Sequence, residues 1–371
     1  MPQLHIFNPS HDEALAAHSP YYYPSRAARQ LGNDLATLPA WWAQAGDYVL
    51  IPDTLPLPAS DFTGRDLHFL HPSSLRNLSL ADIDNISPWG WDALLAHQLQ
   101  RAGIPPTLLP SAGQLDTIRQ LSSRQTAVHL LKAIRQEIPE TTGTSSWCTD
   151  EHAVWNFVRR HGTAMLKAPW SSSGRGVFPA TANAPESVHR RVTRLLHEQG
   201  AVEAEPFYRH TTDLALEFTA TATGVSYEGL SLFTTASTGA YTGNLIAPQD
   251  VLLQYLPAPL RPLLSPLADC LSHHLHRLLQ GAYNGPLGVD LMCVDTPDGP
   301  RFHPCVEVNL RRTMGHVALH LRRTAGLTPG VYRLRPVAPS APDIRVLTPG
   351  ATVMEAVLDC RPCAFPLPAE P

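Results

Sequence analysis

In the stretch 306–315 (V-E-V-N-L-R-R-T-M-G), residues 306–311 alternate between apolar and polar positions, as a β-strand with two different faces does. One face is aliphatic, which is typical of a strand that packs on a core. The other face carries a carboxylate, an amide and a guanidinium, which belong to Glu307, Asn309 and Arg311. The pattern therefore predicts a strand whose polar face is either a functional site or a solvated surface.

A second alternating segment, residues 288–294, precedes this strand, and the residues between the two have the composition of a turn (D-T-P-D-G, 295–299). A hairpin about this turn brings Asp290 opposite Glu307. Carboxylate and amide oxygens suit a hard cation such as Mg²⁺, and the arginine further along the strand lies where it can hold a negative charge. We therefore expect a cation site on this hairpin, with a plain acidic patch as the alternative.

A small-residue loop provides the second chemical signal. The apolar segment 164–167 ends at Lys167 and runs into A-P-W-S-S-S-G-R-G, residues 168–176. The loop is neither a P-loop nor a G-x-G-x-x-G dinucleotide motif. Small residues still allow successive backbone N–H groups to face an anion, and a lysine at the strand end can reach a phosphate. A phosphate loop and a flexible surface loop both fit this pattern.

The first 112 residues predict a small β-α domain with parallel strands. Asn8, His11 and Asp12 follow the first strand, where α/β folds often bind ligands, but capping and turn formation explain Asn8 and Asp12 as well. The predicted strands are 4–7, 47–52 and 66–70, with an extended segment at 108–110, and the predicted helices are 34–45 and 92–103.

The rest of the chain predicts a mixture of helices and antiparallel strands. Ser122 or Ser123 caps a helix that has Arg124 in its first turn, where a basic residue opposes the helix dipole unless an anion lies nearby. The other predicted helices are 150–160, 185–199 and 260–280, the strands are 201–207, 213–222 and 225–235, and residues 238–246 are expected to be a loop. The Pro-rich end is expected to hold at most one or two strands, near 343–347.

Composition narrows the class of protein. The chain has 371 residues, 43% of them hydrophobic, and a net charge of −4, which gives no general attraction to nucleic acid or anionic membranes. No apolar run approaches the ~20 residues of a membrane span, and the N-terminus lacks the basic region of a signal peptide. The six cysteines include one C-x-x-C pair, Cys360 and Cys363, without a second pair to complete a zinc site. We expect reduced thiols and a cytoplasmic protein.

The order of these features resembles the ATP-grasp superfamily, which includes biotin carboxylase, D-alanine–D-alanine ligase and carbamoyl-phosphate synthetase. The resemblance covers about residues 112–325. It rests on Arg124 at a helix start, Lys167 before the Ser/Gly loop, an acidic strand with Glu203 and Glu205, and the hairpin that ends in E-x-N-x-R. The segment after Arg311, R-T-M-G-H-V-A, departs from well-known members, so the resemblance names no substrate.

The resemblance implies an α/β and α+β architecture. It consists of a small N-terminal parallel β-α pre-grasp domain, followed by two α+β lobes that enclose ATP. The expected domains are a pre-grasp-like domain at 1–112, a first lobe with the phosphate loop at 113–207, a second lobe with the metal strands at 208–330, and a partly disordered Pro-rich extension at 331–371.

The resemblance also implies a role for each matching residue. Arg124 and Lys167 would contact the α- and β-phosphates, and Arg311 would stabilise an oxyanion. The phosphate loop would comprise Ser171, Ser172, Ser173, Gly174 and Gly176; the adenine hinge Glu203, Glu205 and Phe207; the ribose contact Asp213; and the ligands of Mg²⁺, or of Mn²⁺ in its place, Asp290, Glu307 and Asn309.

The activity implied by the resemblance is that of an ADP-forming ligase. Such an enzyme activates a carboxylate as an acylphosphate and joins it to an amine or, less often, a thiol. A kinase with the same ATP site, or a nucleotide-binding module without turnover, are the alternatives. We expect small-molecule carboxylate and amine partners, no nucleic acid and no membrane, and a homodimer remains open. Arg312 and His316 are either substrate contacts or packing residues.

Overall fold

A computed structural model describes residues 2–58, 63–77, 83–171, 176–236, 239–324, 330–339 and 341–361. Its strands are β1 (Gln3–Ile6), β2 (Tyr48–Leu50), β3 (His68–Leu70), β4 (Asn85–Pro88), β5 (Ser146–Cys148), β6 (Thr163–Lys167), β7 (Val177–Thr181), β8 (Val202–Pro206), β9 (His210–Thr221), β10 (Gly224–Thr235), β11 (Tyr241–Ile246), β12 (Gly285–Thr296), β13 (Gly299–Asn309), β14 (Gly330–Pro336), β15 (Ile344–Val346) and β16 (Met354–Asp359).

The helices within the described residues are α1 (His11–Ala17), α2 (Arg26–Asp34), α3 (Ala93–Arg101), α4 (Ala112–Leu121), α5 (Arg124–Glu137), α6 (Glu151–His161), α7 (Glu186–Gln199), α8 (Gln249–Gln254), α9 (Leu264–Leu279) and α10 (Met314–Thr324). None of these described helices is long and apolar enough to cross a membrane. The chain divides into two compact units. Unit 1 contains the described residues of 2–119, 242–249 and 311–361, and unit 2 those of 120–241 and 250–310.

Unit 1 begins with a parallel four-stranded sheet in the order β3-β2-β1-β4. The central strand β1 is buried, and its Leu4 and Ile6 pack with Ile86 of β4 and Leu95 of α3. Parallel strands need helical crossovers, and buried crossover sheets carry aliphatic residues on both faces. The prediction of an N-terminal parallel β-α arrangement is confirmed, although β4 was missed.

A second, antiparallel group of strands in unit 1 corrects two predictions. Residues 238–246 were expected to be a loop, but 241–246 form β11, which pairs with β14. The glycine that favoured a loop is needed for packing, because a Cβ on Gly243 would lie 2.7 Å from the carbonyl oxygen of Tyr332. The C-terminal region holds β14, β15 and β16, more strands than the one or two expected, and they follow β11 in the order β14-β16-β15.

The helix predicted at residues 34–45 is also wrong. The structure ends α2 at Asp34 and forms only a 3₁₀ turn at Leu38–Trp41, with Pro39 near its start. The carboxylate of Asp34 accepts backbone N–H groups of Thr352 at 2.7 Å and Met354 at 3.0 Å, which holds the helix end against β16. Proline supplies no N–H to continue a helix, so the chain turns here. The extended segment predicted at 108–110 overlaps another 3₁₀ turn, Pro106–Leu108, at Leu108.

Unit 2 contains two groups of antiparallel strands. One is a four-stranded sheet in the order β5-β8-β6-β7, and the other has the order β13-β12-β9-β10. Buried side chains of α6 and α7, including Val154, Val158 and Val192, cover the first group, and α9 packs on β9 and β10. The predicted hairpins at residues 213–235 and 288–309 are both confirmed. The mixture of parallel and antiparallel sheets confirms the predicted α/β and α+β class.

Candidate active site

The hairpin of β12 and β13 brings three predicted metal ligands together in unit 2. Asp290 pairs directly with Glu307, and Gly288 pairs with Asn309. The Nδ2 group of Asn309 donates a hydrogen bond to Oδ2 of Asp290 over 3.2 Å. The register shifts between Asp290 and Met292, and such bulges re-aim side chains near functional sites. The three residues thus form one cluster of oxygen-bearing side chains.

Arg124 contacts this cluster from the first turn of α5, whose N-cap is Ser123. Its guanidinium is buried, with Nη2 lying 2.9 Å from Oε1 of Glu307 and Nε donating to the carbonyl oxygen of Ala168 at 3.1 Å. Burial alone would lower the pKa of Arg124, but the nearby carboxylates, led by Glu307, raise it. The carboxylate therefore offsets both the burial of this cation and its unfavourable place at a helix N-terminus.

Lys167 is the second buried cation, and it ends β6 as predicted. Its Nζ lies 2.8 Å from Oε1 of Glu205 and 3.5 Å from Oε1 of Glu203, which also accepts a hydrogen bond from Ser145 at 2.8 Å. Burial favours neutral Lys167, yet the two carboxylates raise its pKa. Burial likewise raises the pKa of Glu203, against the opposing effect of Lys167. Lys167 is one of only two lysines in the chain.

The residues predicted for the adenine hinge and the ribose have other contacts in the structure. Glu203 and Glu205 share a face of β8 and present their side chains to Lys167. The Phe207 side chain is exposed, while its N–H donates to the carbonyl oxygen of Thr163. Asp213 accepts a hydrogen bond from Thr235 at 3.1 Å and lies 3.4 Å from the imidazole of His210. The nucleotide roles of these residues stay predictions.

The ends of the predicted phosphate loop are fixed by Arg124 and by the loop backbone. The N–H of Ala168 donates to the carbonyl oxygen of Gly176 at 2.9 Å, and the N–H of Arg124 donates to that of Pro169 at 3.1 Å. Nη2 of Arg124 reaches the hydroxyl of Ser171 at 3.5 Å. Ser172, Ser173 and Gly174 lie outside the described residues. The described ends of the loop thus start and finish beside the buried guanidinium.

His303 lies beside Glu205, a partner of Lys167, and was not among the residues predicted from the sequence. Its ring is fully buried on β13, and Nε2 lies 3.7 Å from Oε2 of Glu205. Burial, with a smaller effect from Lys167, lowers the pKa of His303 to about 3. The signal available in the sequence was its spacing, because His303 precedes Glu307 by four residues on one alternating strand.

The predicted catalytic Arg311 lies in unit 1, where it pairs with Asp12. Its Nε and Nη2 donate to the two carboxylate oxygens of Asp12, each over 3.2 Å. Asn8 donates to the carbonyl oxygen of Gly90 at 2.8 Å and to Asp92 at 3.1 Å. The segment after β1 therefore does more than begin a helix, because Asp12, in the first turn of α1, forms a bidentate pair with Arg311.

The residues that follow Arg311 pack within unit 1. The guanidinium of Arg312 lies 4.6 Å from the ring centroid of Trp42, and the backbone N–H of Arg312 donates to the carbonyl oxygen of Trp89 at 2.7 Å. Nδ1 of His316 accepts the N–H of Thr313 at 3.2 Å. Both Arg312 and His316 are buried, so packing accounts for the contacts that they make. The substrate-contact alternative for them stays untested.

Comparison with known proteins identifies the fold. No protein-family model and no curated protein matches the sequence. The biotin carboxylase domain dimer of 2-oxoglutarate carboxylase from Hydrogenobacter thermophilus, solved with MgADP, ADP and bicarbonate, is similar in structure with a TM-score of 0.54 and 14% identity, over 96% of this chain and 85% of that one. Biotin carboxylase from Campylobacter jejuni, complexed with β,γ-ATP, gives a TM-score of 0.53 and 12% identity, over 96% and 86%.

A third similar structure is the N5-carboxyaminoimidazole synthetase from Staphylococcus aureus complexed with ADP, with a TM-score of 0.50 and 12% identity, over 97% of this chain and 93% of that one. The chain has the ATP-grasp fold. The predicted ATP-grasp fold is thus confirmed, and a fold by itself does not establish a reaction. Within the ATP-grasp fold, the geometry of Arg124, Lys167 and the β12–β13 hairpin must carry the functional argument.

Proposed function

We propose that the chain is an ATP-dependent, ADP-forming ligase that joins a carboxylate to an amine. The observation that carries the proposal is the pair of buried cations, Arg124 and Lys167, held beside carboxylates in a unit of an ATP-grasp fold. Buried charges are costly, so two of them at one place suggest a functional anion. Similar structures contain ADP, MgADP or a β,γ-ATP ligand, which supports a nucleotide as that anion.

In this proposal Arg124 and Lys167 bind the α- and β-phosphates of ATP. The segment from Ser171 to Gly176 covers the β- and γ-phosphates with backbone N–H groups and hydroxyls. Glu203 and Glu205 hold Lys167 in position, and the backbone around Phe207 contacts the adenine. Asp213 binds the ribose.

The donor set on the hairpin fits a hard divalent cation. Asp290, Glu307 and Asn309 offer two carboxylates and an amide oxygen from adjacent positions of paired strands, which is the ligand chemistry of Mg²⁺ and also admits Mn²⁺. When bound there, the cation would neutralise negative charge on the phosphates. Glu307 also forms an ion pair with Arg124, so Glu307 would link the cation site to the phosphate site.

The reaction proceeds in two steps. A carboxylate oxygen of the substrate attacks the γ-phosphorus of ATP, and the bond to the leaving ADP breaks, giving an acylphosphate. The amine nitrogen then attacks the acyl carbon, phosphate leaves with the C–O bonding electrons, and the nitrogen loses a proton. Arg311 stabilises the oxyanion of the tetrahedral intermediate, and Asp12 orients its guanidinium.

Phosphorus NMR of the protein with ATP, Mg²⁺ and pooled small carboxylic acids and amines tests the proposal. ADP and free phosphate that require both an acid and an amine support a ligase. ADP with a phosphorylated metabolite and no free phosphate would indicate a kinase instead. AMP with pyrophosphate contradicts the acylphosphate route, and nucleotide binding without turnover would indicate a binding module.

Glu307→Ala provides the matched variant for this experiment. We expect turnover to fall at least about 100-fold, since the variant loses one ligand of the cation and the partner of Arg124. ATP binding, measured by calorimetry, should weaken but survive, because Lys167 and the phosphate loop remain. Unchanged turnover would remove Glu307 from the site. The cytoplasmic location and a homodimer belong to the same proposal and are checked by fractionation and by light scattering.

A further inference from the structure

Outside the candidate active site, unit 2 brings three different metal-binding side chains together on its surface. Glu137 is the last residue of α5, and Cys270 and His274 lie one turn apart on the same face of α9, which packs against α5. A carboxylate oxygen, the thiol sulfur and an imidazole nitrogen of these residues all lie within 4.8 Å of one another. Within the part of the chain that the structure describes, this is the one group of three such residues.

The distances inside this trio are close to those of a coordination shell. Oε1 of Glu137 lies 2.7 Å from Nε2 of His274, and its Oε2 lies 3.5 Å from Sγ of Cys270. Around a tetrahedral Zn²⁺, bond lengths of ~2.0–2.3 Å put neighbouring ligand atoms about 3.3–3.6 Å apart. The two contacts involve different oxygens of Glu137, and one ligand atom from each of the three residues lies within 4.8 Å of the other two, so rotation of the side chains would bring the three atoms to these separations.

The surroundings make the site open on one side and protected on the other. The side chain of Glu137 is 53% exposed, whereas that of His274 is 17% exposed. The ring of His273 lies against His274, with centroids 5.7 Å apart. The exposed carboxylate of Glu137 gives an ion access to the site, and all three residues lie on helices, Glu137 on α5 and the other two on α9. Three protein ligands leave a fourth position for water.

We infer that Glu137, Cys270 and His274 form a binding site for one divalent transition-metal ion of the zinc type. The mixed sulfur, nitrogen and oxygen ligands disfavour Mg²⁺ and Ca²⁺, which prefer oxygen alone, and suit a borderline ion such as Zn²⁺ or Co²⁺. His274 binds through Nε2 with its proton on Nδ1, and Cys270 binds as the thiolate and releases its proton to solvent.

Binding of a metal ion would have to displace the thiol proton of Cys270, which is donated to Glu137. Burial and the carboxylate of Glu137 raise the pKa of Cys270 to about 12, so the free side chain is a protonated thiol that donates to Glu137. A bound metal ion deprotonates a coordinating thiol outright. The ion would also tie the C-terminal end of α5 to α9, independently of any activity at the other end of that helix.

Titration of the full chain with Co²⁺ tests the inference, because a thiolate bound to Co²⁺ gives a charge-transfer absorption that other ligands do not give. We expect the band to saturate at one equivalent and to disappear when Zn²⁺ is added. Cys270→Ser should abolish the band, and His274→Ala and Glu137→Gln should each weaken Co²⁺ binding at least about tenfold.

The control is the double variant Cys360→Ser, Cys363→Ser, which removes the C-x-x-C pair and should leave the band unchanged. Circular dichroism establishes that each variant is folded, and serine is close enough to cysteine in size for Cys270→Ser to fold. Absence of the band in the natural sequence, its survival in Cys270→Ser, or its loss in the double variant would each overturn the inference.

Discussion

Lys167 shows how the protein tolerates a buried charge. Its ammonium group has two carboxylate partners, Glu205 at 2.8 Å and Glu203 at 3.5 Å, and its side chain is 4% exposed. Removing one partner of a buried ion pair costs about 3–5 kcal/mol, because the other charge stays buried without compensation. The cluster is therefore stable only as a set, and a phosphate that approached Lys167 would join an arrangement that already balances charge.

His303 predicts a pH dependence of stability. Its pKa is lowered to about 3 in the folded protein, against 6.5 in the unfolded chain. As the pH falls below 6.5, the unfolded chain binds a proton that folded His303 does not, so stability is complete above that pH and is lost between 6.5 and 3. This residue alone should account for about 2 kcal/mol of destabilisation between pH 7 and pH 5.

Denaturant unfolding of the natural protein and of His303→Gln at both pH values measures this effect. The stability difference between the two proteins should shrink by about 2 kcal/mol at pH 5, because glutamine does not titrate. His5 and His320 also have lowered pKa values, but they are present in both proteins and cancel in the comparison. His152→Gln, at an exposed position, is the matched control. An identical pH dependence in His303→Gln would contradict the assignment.

The sequence predicted some contacts between individual residues and did not predict others, for a physical reason. The hairpin that carries Asp290 and Glu307 could be predicted, but its turn fixes the register only as far as the pair Met292–His303, and a register shift beyond that pair brings the two carboxylates opposite one another. The contacts of Lys167 with Glu203 and Glu205 depend on how β6 pairs with the distant β8. No local signal specifies that register, so the two glutamates were assigned to the nucleotide rather than to the lysine.

The connection between α5 and β5 packs on β13, the strand that carries Glu307 and Asn309. Gly143 has φ +120°, and a Cβ there would lie 2.6 Å from the ring of His303. Its carbonyl oxygen accepts a hydrogen bond from Arg135, and the neighbouring Thr142 donates its N–H to the carbonyl oxygen of Phe302. The connection can therefore pack on β13 only with a residue that has no side chain.

Gly143→Ala is expected to destabilise the protein by about 1–3 kcal/mol, through backbone strain and displacement of the His303 ring. Denaturant unfolding at pH 7 measures the change. Gly224→Ala in the same unit is the control, since nothing lies within 4 Å of a Cβ there and its φ is not positive. We expect that substitution to change stability by no more than about 0.5 kcal/mol. Equal effects of the two substitutions would refute the packing argument.

The elements that the sequence predicted well are those with long, regular patterns. Helices α6, α7 and α9 and the two hairpins of unit 2 were found close to their observed positions. The missed strands β4, β5 and β11 are short or contain proline and glycine, which also mark loops, and β14 and β16 lie in the Pro-rich C-terminal region, where strands were expected only near 343–347. In β11, Gly243 allows close approach to β14. This requirement comes from the partner strand, so the local sequence does not indicate it.

The whole chain has an ATP-grasp fold, but its low identity to similar structures leaves the reaction to be established by its own residues. Of the residues proposed above, Arg124, Lys167 and Glu307 belong to unit 2, and Asp12 and Arg311 pair within unit 1. The sequence predicted Arg311 as a charge-stabilising residue but did not predict its carboxylate partner. That partner lies about 300 residues earlier in the chain, beyond the reach of any local pattern.

The proposed nucleotide site predicts that ADP with Mg²⁺ stabilises the whole protein. A ligand present at 100 times its Kd adds about 2.7 kcal/mol to the free energy of unfolding. At ~2–4 °C per kcal/mol for units of 150–250 residues, the unfolding temperature should rise by about 5–10 °C. Lys167→Met should reduce this rise at least by half at the same ADP concentration, because the variant loses a phosphate contact.

Lys132→Met is the matched control, because Lys132 is the only other lysine in the chain and lies exposed on α5. It should keep the full stabilisation by ADP. Lys167→Met will start from a lower unfolding temperature, since Glu203 and Glu205 lose their cation, so each variant is compared only with itself without nucleotide. If ADP stabilised both variants and the natural protein equally, Lys167 would be a structural cation and the nucleotide would bind elsewhere. A loss confined to Lys167→Met would instead show that its buried ammonium group serves the nucleotide.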